Sequence, residues 1–141
     1  MLKKQTLLLL AIVSSFLMSC MATNGNDSKL YGNQWELEYI TGPRITFEGL
    51  FPDMKPVVSF DKSSKMVRGN SGCNGYAAKY TMNGMKINFA QPEISTMMYC
   101  GDGEVVFLKT MQEVDSYKID TDGKLVLMMG DVPMMRFHKK M

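Results

Sequence analysis

Cys73 is the residue of this sequence whose neighbours most suggest chemistry. It lies in RGNSGCNGY, residues 68–76, among three glycines spaced three apart. A cysteine nucleophile needs a neighbouring base, and the chain contains one histidine, His138, near its C-terminal end. The alternation in MMRFHKK is typical of a strand and places this histidine on the solvent side. The sequence therefore predicts no catalytic residue and a protein that is not an enzyme.

The glycines and the other ligand-type side chains predict neither a phosphate site nor a structural metal. Gly69, Gly72 and Gly75 form G-x-x-G-x-x-G, which is not the dinucleotide fingerprint, and the element that follows them has a strand pattern instead of a helical one. A turn or bulge with positive φ beside a crossing strand explains the glycines better. Structural zinc needs four Cys or His ligands at close spacing, and Cys73 and Cys100 match no such pattern. We expect no metal and no cofactor.

Methionine is the unusual residue type in the composition, with 15 in the chain, several of them in consecutive pairs: Met97-Met98, Met128-Met129 and Met134-Met135. Thioethers are soft ligands that suit Cu(I). Neighbours in a strand point to opposite faces, so each pair offers one sulfur per face. Methionine also fills irregular cores, and core filling is the expected role. Copper binding or sacrificial oxidation is the alternative.

The N-terminal segment MLKKQTLLLLAIVSSFLMSC has the pattern of an export signal. Lys3 and Lys4 form a positive start, and Leu7 to Met18 form an apolar core. That core is too short to span a bilayer, which needs about 20 residues. Residues 1–19 are therefore predicted to be a signal peptide that is removed.

Leu17-Met18-Ser19-Cys20 resembles the bacterial lipobox, in which the cysteine becomes the lipid-modified N-terminus. The resemblance implies a lipoprotein that carries several acyl chains, such as palmitate, on Cys20, which gives a stable anchor. The polar residues after it predict a flexible tether over 20–29 and a folded domain over 30–141. We expect a lipid-anchored protein of the bacterial cell envelope, in the outer membrane, with the membrane as a partner.

Charge and cysteine count limit the classes of partner and the redox state. Without Lys3 and Lys4, the 16 basic residues become 14 and equal the 14 acidic residues. A neutral chain gives no electrostatic reason to bind nucleic acid. Cys73 and Cys100 are the cysteines that remain after Cys20, and two cysteines in an exported chain are more often paired than free. A disulfide between them would close a loop of about 27 residues.

Hydrophobic periodicity predicts a mainly β domain of the α+β class. The sheet is expected to be antiparallel and barrel-like, with about seven or eight short strands and a single α-helix packed on it. Asn83-Gly84 predicts a type I′ hairpin turn, and residues 43–56 predict an irregular, proline-rich excursion. The segments with strand patterns are QWELEYI, VVSFD, MVRGN, the two arms of YAAKYTMNGMKINFA, SYKID, KLVLMM and MMRFHKK, and GDGEVVFLKTMQEVD has the helical pattern.

Several motifs resemble the META domain, the HslJ-like family of small bacterial envelope proteins. The matching residues are Trp35-Glu36-Leu37, Ile40 and Gly42; Gly69 to Asn74 with Tyr80; Thr96 to Cys100 with Glu104, Phe107 and Leu108; and Leu125-Val126-Leu127. The resemblance covers roughly residues 30–141. It implies a compact β-rich domain, often lipidated or secreted, with links to envelope stress, drug tolerance or motility and no enzymatic activity. It also implies that Cys73 and Cys100 form a disulfide.

These observations predict a non-catalytic, membrane-anchored lipoprotein whose domain is a binding or protective module in envelope stress. An exposed apolar patch would bind an envelope protein, and the candidate residues are Phe47, Leu50, Phe51 and Met54 on the excursion. The alternative is a barrel that holds a small apolar ligand in its mouth, lined by Tyr76, Tyr80 and methionines. An enzyme would instead need a cleft with titratable groups around His138 or Cys73.

Overall fold

Nine strands and three helices make up the part of the chain that the computed structural model describes, residues 27–141. The predicted signal peptide and Cys20 lie outside the described residues. The elements are α1 Asp27–Leu30, β1 Trp35–Ile40, α2 Phe47–Leu50, β2 Val57–Asp61, β3 Met66–Asn70, β4 Gly75–Asn83, β5 Lys86–Phe89, β6 Glu93–Ile94, α3 Gly103–Glu113, β7 Ser116–Ile119, β8 Leu125–Met129 and β9 Val132–Lys139.

Eight of the strands form a closed antiparallel barrel. Their order is β3-β2-β1-β9-β8-β7-β5-β4, and β3 then pairs with β4 to close the ring. The two-residue strand β6 adds to β4 beyond the end of β5. This architecture confirms the predicted mainly β fold with an antiparallel barrel.

Alternation of side chains along the strands fills the barrel interior. Trp35 and Leu37 of β1 are fully buried. In β9 a bulge interrupts the alternation, because Pro133 lies opposite Met128 while Met135 lies opposite Leu127. Met134 is the extra residue, so Met134 and Met135 are both buried although they are neighbours.

Helix α3 is the one long helix among the described residues, as predicted, and it packs on the barrel core. Phe107 and Met111 are fully buried, and the Phe107 ring centroid lies 5.7 Å from that of Tyr76 and 6.5 Å from that of Phe137. The two other helices are single turns. No helix within residues 27–141 combines the length and the apolarity that crossing a membrane requires.

Helix α1 lies at the end of the barrel where β2 turns into β3. Leu30 is fully buried and its carbonyl accepts a hydrogen bond from Trp35 Nε1 at 3.0 Å. Asp27 forms an ion pair with Lys62 of the β2–β3 turn at 3.2 Å. Residues 27–29, which the sequence assigned to the tether, are therefore part of the folded domain, because these contacts hold them there. We call this end of the barrel the α1 end.

The β4–β5 hairpin differs from its predicted turn by one residue. Asn83 pairs with Lys86, so Gly84 and Met85 are the two residues of the turn. Positive φ is found at Gly84, at 59°, and not at Asn83 or Met85. This is the type II′ pattern, which needs positive φ at its first central residue alone. The prediction of a type I′ turn centred on Asn83-Gly84 is therefore wrong, because β4 continues through Asn83.

Candidate functional site

The GCN turn, residues 70–75, joins β3 to β4 at the end of the barrel opposite the α1 end. Asn70 Oδ1 accepts a hydrogen bond from the Gly72 N–H at 2.8 Å, and the Ser71 N–H donates to the Asn74 carbonyl at 2.9 Å. Gly72 has φ of +93°, and a Cβ there would lie 2.7 Å from the Phe51 ring. Only glycine fits this position without strain.

Gly69 is required for a different reason, which is the close approach of a neighbouring strand. Its φ is not positive. A Cβ on Gly69 would lie 1.7 Å from the Val57 carbonyl oxygen of β2. The expected crossing strand beside the turn is therefore β2, and the glycine lets the two backbones touch.

Asn74 is the centre of a buried hydrogen-bond network next to this turn. Its side-chain N–H groups donate to the Met98 carbonyl at 2.9 Å and to Glu104 Oε1 at 3.0 Å. Its Oδ1 accepts from Thr96 Oγ1 at 2.6 Å and from the Met98 N–H at 3.0 Å. Both donors and both lone pairs of the amide are used, so the side chain has one defined orientation.

Glu104, in the first turn of α3, ties the GCN turn to the helix. Its Oε2 accepts hydrogen bonds from Ser71 Oγ and from the Asn74 N–H, the latter at 3.1 Å. A carboxylate at a helix N-terminus also interacts favourably with the helix dipole. Ser71 is fully buried and Glu104 is partly buried, and their hydrogen bonds hold the GCN turn and the helix together.

The Cys73–Cys100 disulfide joins the same two segments covalently. The bond is present in the structure, with the two Cα atoms 5.7 Å apart. Cys73 is buried and Cys100 is exposed. The segment before α3 is therefore held at Thr96, Met98 and Cys100 by two separate devices, the Asn74 network and the disulfide.

Between these attachment points the 97–99 loop, Met97 to Tyr99, carries apolar side chains into solvent. Met97 is 96% exposed, Tyr99 87% and Met98 60%. Because the backbone of the loop is already fixed, a partner that covers these side chains has to offset the loss of their rotamer freedom but little loss of backbone entropy. The geometry thus presents a preorganised apolar surface, which we regard as the candidate functional site.

The four candidate partner residues of the proline-rich excursion do not form an exposed patch. Leu50 and Phe51 are buried in the core, and Phe47 is partly buried. Met54 is 50% exposed. The expectation is corrected here because α2 folds the excursion onto the barrel end beside the GCN turn, where Phe51 meets Gly72.

The alternative function, a small-ligand barrel, predicted that Tyr76 and Tyr80 line an open mouth, but side chains fill the barrel at these positions. Tyr76 is buried against Phe107, and burial raises the pKa of its hydroxyl. Tyr80 is buried against Phe60, with ring centroids 5.6 Å apart, and its hydroxyl donates to the Asp61 carbonyl at 3.1 Å. These two tyrosines pack the core instead of facing a cavity, so the ligand-barrel alternative gains no support from them.

The titratable groups considered for chemistry lie apart from one another. Cys73 is bonded to Cys100. His138 lies on β9 against β1, with Nε2 3.6 Å from a Glu36 oxygen and Nδ1 3.5 Å from a Glu38 oxygen. The structure does not bring Cys73 and His138 together as a nucleophile and its base.

The methionine pairs lie in three different settings. Met134 and Met135 are both in the core, Met128-Met129 lies at the end of β8, and Met97-Met98 is exposed. Within residues 27–141 no three His, Cys, Asp or Glu side chains lie close enough together to hold a metal ion.

The sequence patterns did not reveal the hydrogen-bond roles of Ser71, Asn74, Thr96 and Glu104. All four belong to the motifs of the META resemblance, but their contacts join residues up to 33 positions apart. The signal that could have revealed them is the presence of polar residues in two motifs that also contain the paired cysteines.

Comparison with known proteins agrees with this fold. An NMR structure of a protein from Burkholderia xenovorans superposes on the chain with a TM-score of 0.59, covering 86% of this chain and 94% of that one at 16% sequence identity. At that identity the similarity concerns the fold alone. No curated protein matches the chain significantly. The META domain matches residues 28–141, which contain the barrel, the GCN turn and the 97–99 loop, and the chain therefore belongs to the META domain family.

Proposed function

We propose that this protein is a non-catalytic lipoprotein of the bacterial envelope, anchored through Cys20, whose META domain binds an envelope protein through the 97–99 loop. The observation that carries the proposal is the exposure of Met97 and Tyr99 on a backbone fixed at both ends. Exposed apolar groups cost solubility and normally mark an interaction surface when they are clustered. Aromatic residues and methionine are also enriched in protein interfaces.

The position of the loop supports a partner away from the anchoring membrane. The chain enters the domain at Asp27, which contacts Lys62 in the β2–β3 turn. The GCN turn and the 97–99 loop lie at the other end of β3, beyond Asn70. Seven residues from Cys20 to Asp27 extend at most about 25 Å. The proposed anchor would thus hold the α1 end towards the membrane and direct the loop away from it.

The test replaces Tyr99 by a photoreactive phenylalanine analogue in the full-length chain and irradiates living cells. A discrete adduct with an envelope protein is expected at position 99. The matched control carries the same analogue at Tyr39, which is 45% exposed on the barrel wall. The Asn74→Ala variant, which keeps the disulfide but frees Met98, should weaken the adduct. Equal adducts at 39 and 99, or none at 99, would overturn the proposed role of the loop.

The anchor is tested separately by cell fractionation. The full-length chain should be found with the membranes and should take up labelled palmitate, whereas a Cys20→Ala variant should take up none. Equal labelling of the two chains, or no labelling of the wild type, would exclude lipid anchoring through Cys20. If only the anchor is excluded, the crosslinking result still decides whether the 97–99 loop binds a partner.

A further inference from the structure

A second surface lies on the outer wall of the barrel, where β3, β4 and β6 run side by side. It is a groove of about 450 Å³. Gly75 and Ala77 contribute its floor, while Arg68 and Glu93 are exposed on either side. We call it the β4 groove.

Strand register places opposite charges symmetrically about the middle of this groove. Arg68 of β3 lies opposite Ala77 of β4, and Ala77 lies opposite Glu93 of β6. Residues opposite each other in antiparallel strands share a face of the sheet. A positive, a small and a negative side chain therefore stand in one row, with the two charged residues about 10 Å apart at two strand spacings.

Neither charged residue of the row has an ion-pair partner within the described part of the chain. The ion pairs there involve other residues: Asp27, Lys62, Glu36, Glu38, Lys124, His138 and Lys140. Arg68 and Glu93 thus stay available to pair with groups of another molecule.

We propose that the β4 groove is the interface with a second copy of this chain, in a dimer whose two-fold axis runs parallel to β4 and passes between the Ala77 residues of the two copies. A half-turn about this axis exchanges the two sides of the row. Arg68 of each copy then faces Glu93 of the other, and the two Ala77 residues face each other. Two-fold interfaces require such self-complementarity, and the row of Arg68, Ala77 and Glu93 supplies it, which favours a second copy. Exposed Lys79, two residues further along β4, faces Lys79 of the other copy, and its long side chain turns its charge to solvent there.

The small floor of the groove permits the close approach that this pairing needs. Sheets that pack face to face lie about 10 Å apart, and Gly75 and Ala77 add little bulk between them. Ile94, 44% exposed beside the row, supplies apolar area at the rim. The equal numbers of acidic and basic residues outside the first 19 positions leave no overall repulsion between copies.

The axis also agrees with a shared membrane, a point that rests on the proposed lipid anchor. Rotation about an axis parallel to β4 keeps both α1 ends on the same side of the dimer. Both chains could then be anchored in one membrane, where tethering raises the effective concentration of each copy. The pairing of Arg68 with Glu93 does not depend on the anchor.

The test places one cysteine on the axis of the full-length chain in its membranes. Ala77→Cys should give a crosslinked dimer with a short bismaleimide, whereas Lys118→Cys, at an exposed position of β7, should give little. Arg68→Glu or Glu93→Arg added to Ala77→Cys should reduce the crosslinked fraction at least about tenfold, because like charges then meet. The double reversal, Arg68→Glu with Glu93→Arg, should restore it.

Each result supports or overturns the dimer. Crosslinking at Ala77→Cys no stronger than at Lys118→Cys, or no recovery in the double reversal, would overturn it. These surface variants should keep the wild-type melting curve, which separates loss of pairing from loss of folding. If the photoadduct at Tyr99 forms and the Ala77→Cys dimer does not, the proposed function stands and the dimer fails. If detergent-solubilised chain still crosslinks in the same charge-dependent way, the dimer stands without the anchor.

Discussion

Removal of the Cys73–Cys100 disulfide should destabilise the domain strongly while leaving its native structure in place. The bond spans 27 residues. In the chain-entropy model a loop of that length constrains the unfolded chain by about 3.5 kcal/mol at 25 °C. A domain of this size has a total free energy of unfolding of about 5–15 kcal/mol. At about 4 °C per kcal/mol, the melting temperature should fall by roughly 10–15 °C.

The native state should persist because the Asn74 network holds the same segment independently. With both cysteines replaced by alanine, Thr96 and Met98 still bond to Asn74, and Asn74 still bonds to Glu104. The loss therefore arises mainly in the unfolded ensemble, which gains freedom.

Urea unfolding followed by the fluorescence of Trp35 measures this loss. Trp35 is the only tryptophan and is fully buried, so its emission reports the barrel core. The C73A/C100A variant is compared with the oxidised wild type, and the wild type after reduction serves as the matched control. Both should lose a similar free energy of unfolding. A loss below about 1 kcal/mol in both, with alkylation showing that the oxidised wild type has no free thiol at either position, would refute the loop-entropy reasoning.

Three further predictions follow from single residues and can be checked by the same unfolding assay. Asn74→Ala should lower the free energy of unfolding by about 3 kcal/mol, because it removes a hydrogen bond to the Glu104 carboxylate and three hydrogen bonds to a partly solvated loop. Asn74→Asp should recover stability relative to wild type as pH falls from 7 to 4, since it places a second carboxylate near that of Glu104. No recovery would contradict this. Gly69→Ala should lower the free energy of unfolding by about 2–3 kcal/mol through the clash with Val57. The control Gly123→Ala, whose Cβ meets no neighbour within 4 Å, should cost only the strain of its positive φ, about 1 kcal/mol. Equal costs would argue against the clash. Hydrogen bonds from the side chain of Ser63 and then from backbone N–H groups lower the Asp61 pKa from 3.8 to about 2. The contribution of Asp61 to stability is therefore present above pH 4 and is lost as pH falls towards 2. Asp61→Asn should flatten that part of the profile of stability against pH, and an unchanged profile would contradict the assignment.

Most strands could be predicted because their side chains alternate between core and solvent. Trp35 and Leu37 face inward with polar neighbours between them. The exceptions are elements that depend on tertiary contacts. Strand β6 has two residues and no periodicity, and it exists because Ile94 and Glu93 pair with β4. The bulge at Met134 likewise depends on the register between β8 and β9.

The candidate site could be predicted in its covalent part and not in its polar part. Cysteine count and family resemblance both pointed to Cys73 and Cys100. The role of Asn74 depends on bringing Glu104 and Met98 within hydrogen-bond distance from 24 to 30 positions away, and no local pattern encodes that. The excursion was misjudged because an apolar run between prolines has the same composition whether it covers a barrel end or faces solvent.

The residues that fix the 97–99 loop differ from the residues that it exposes, and this has a consequence for how the sequence of the domain can change. The backbone of the loop is fixed by Asn74 and by the disulfide, and neither contact uses the side chain of Met97 or Tyr99. Positions 97 and 99 contribute almost no buried surface, so the sequence can vary there at little thermodynamic risk. A library randomised at these two positions should remain folded in nearly all its members, and the domain is therefore a natural scaffold on which new binding specificities can be selected.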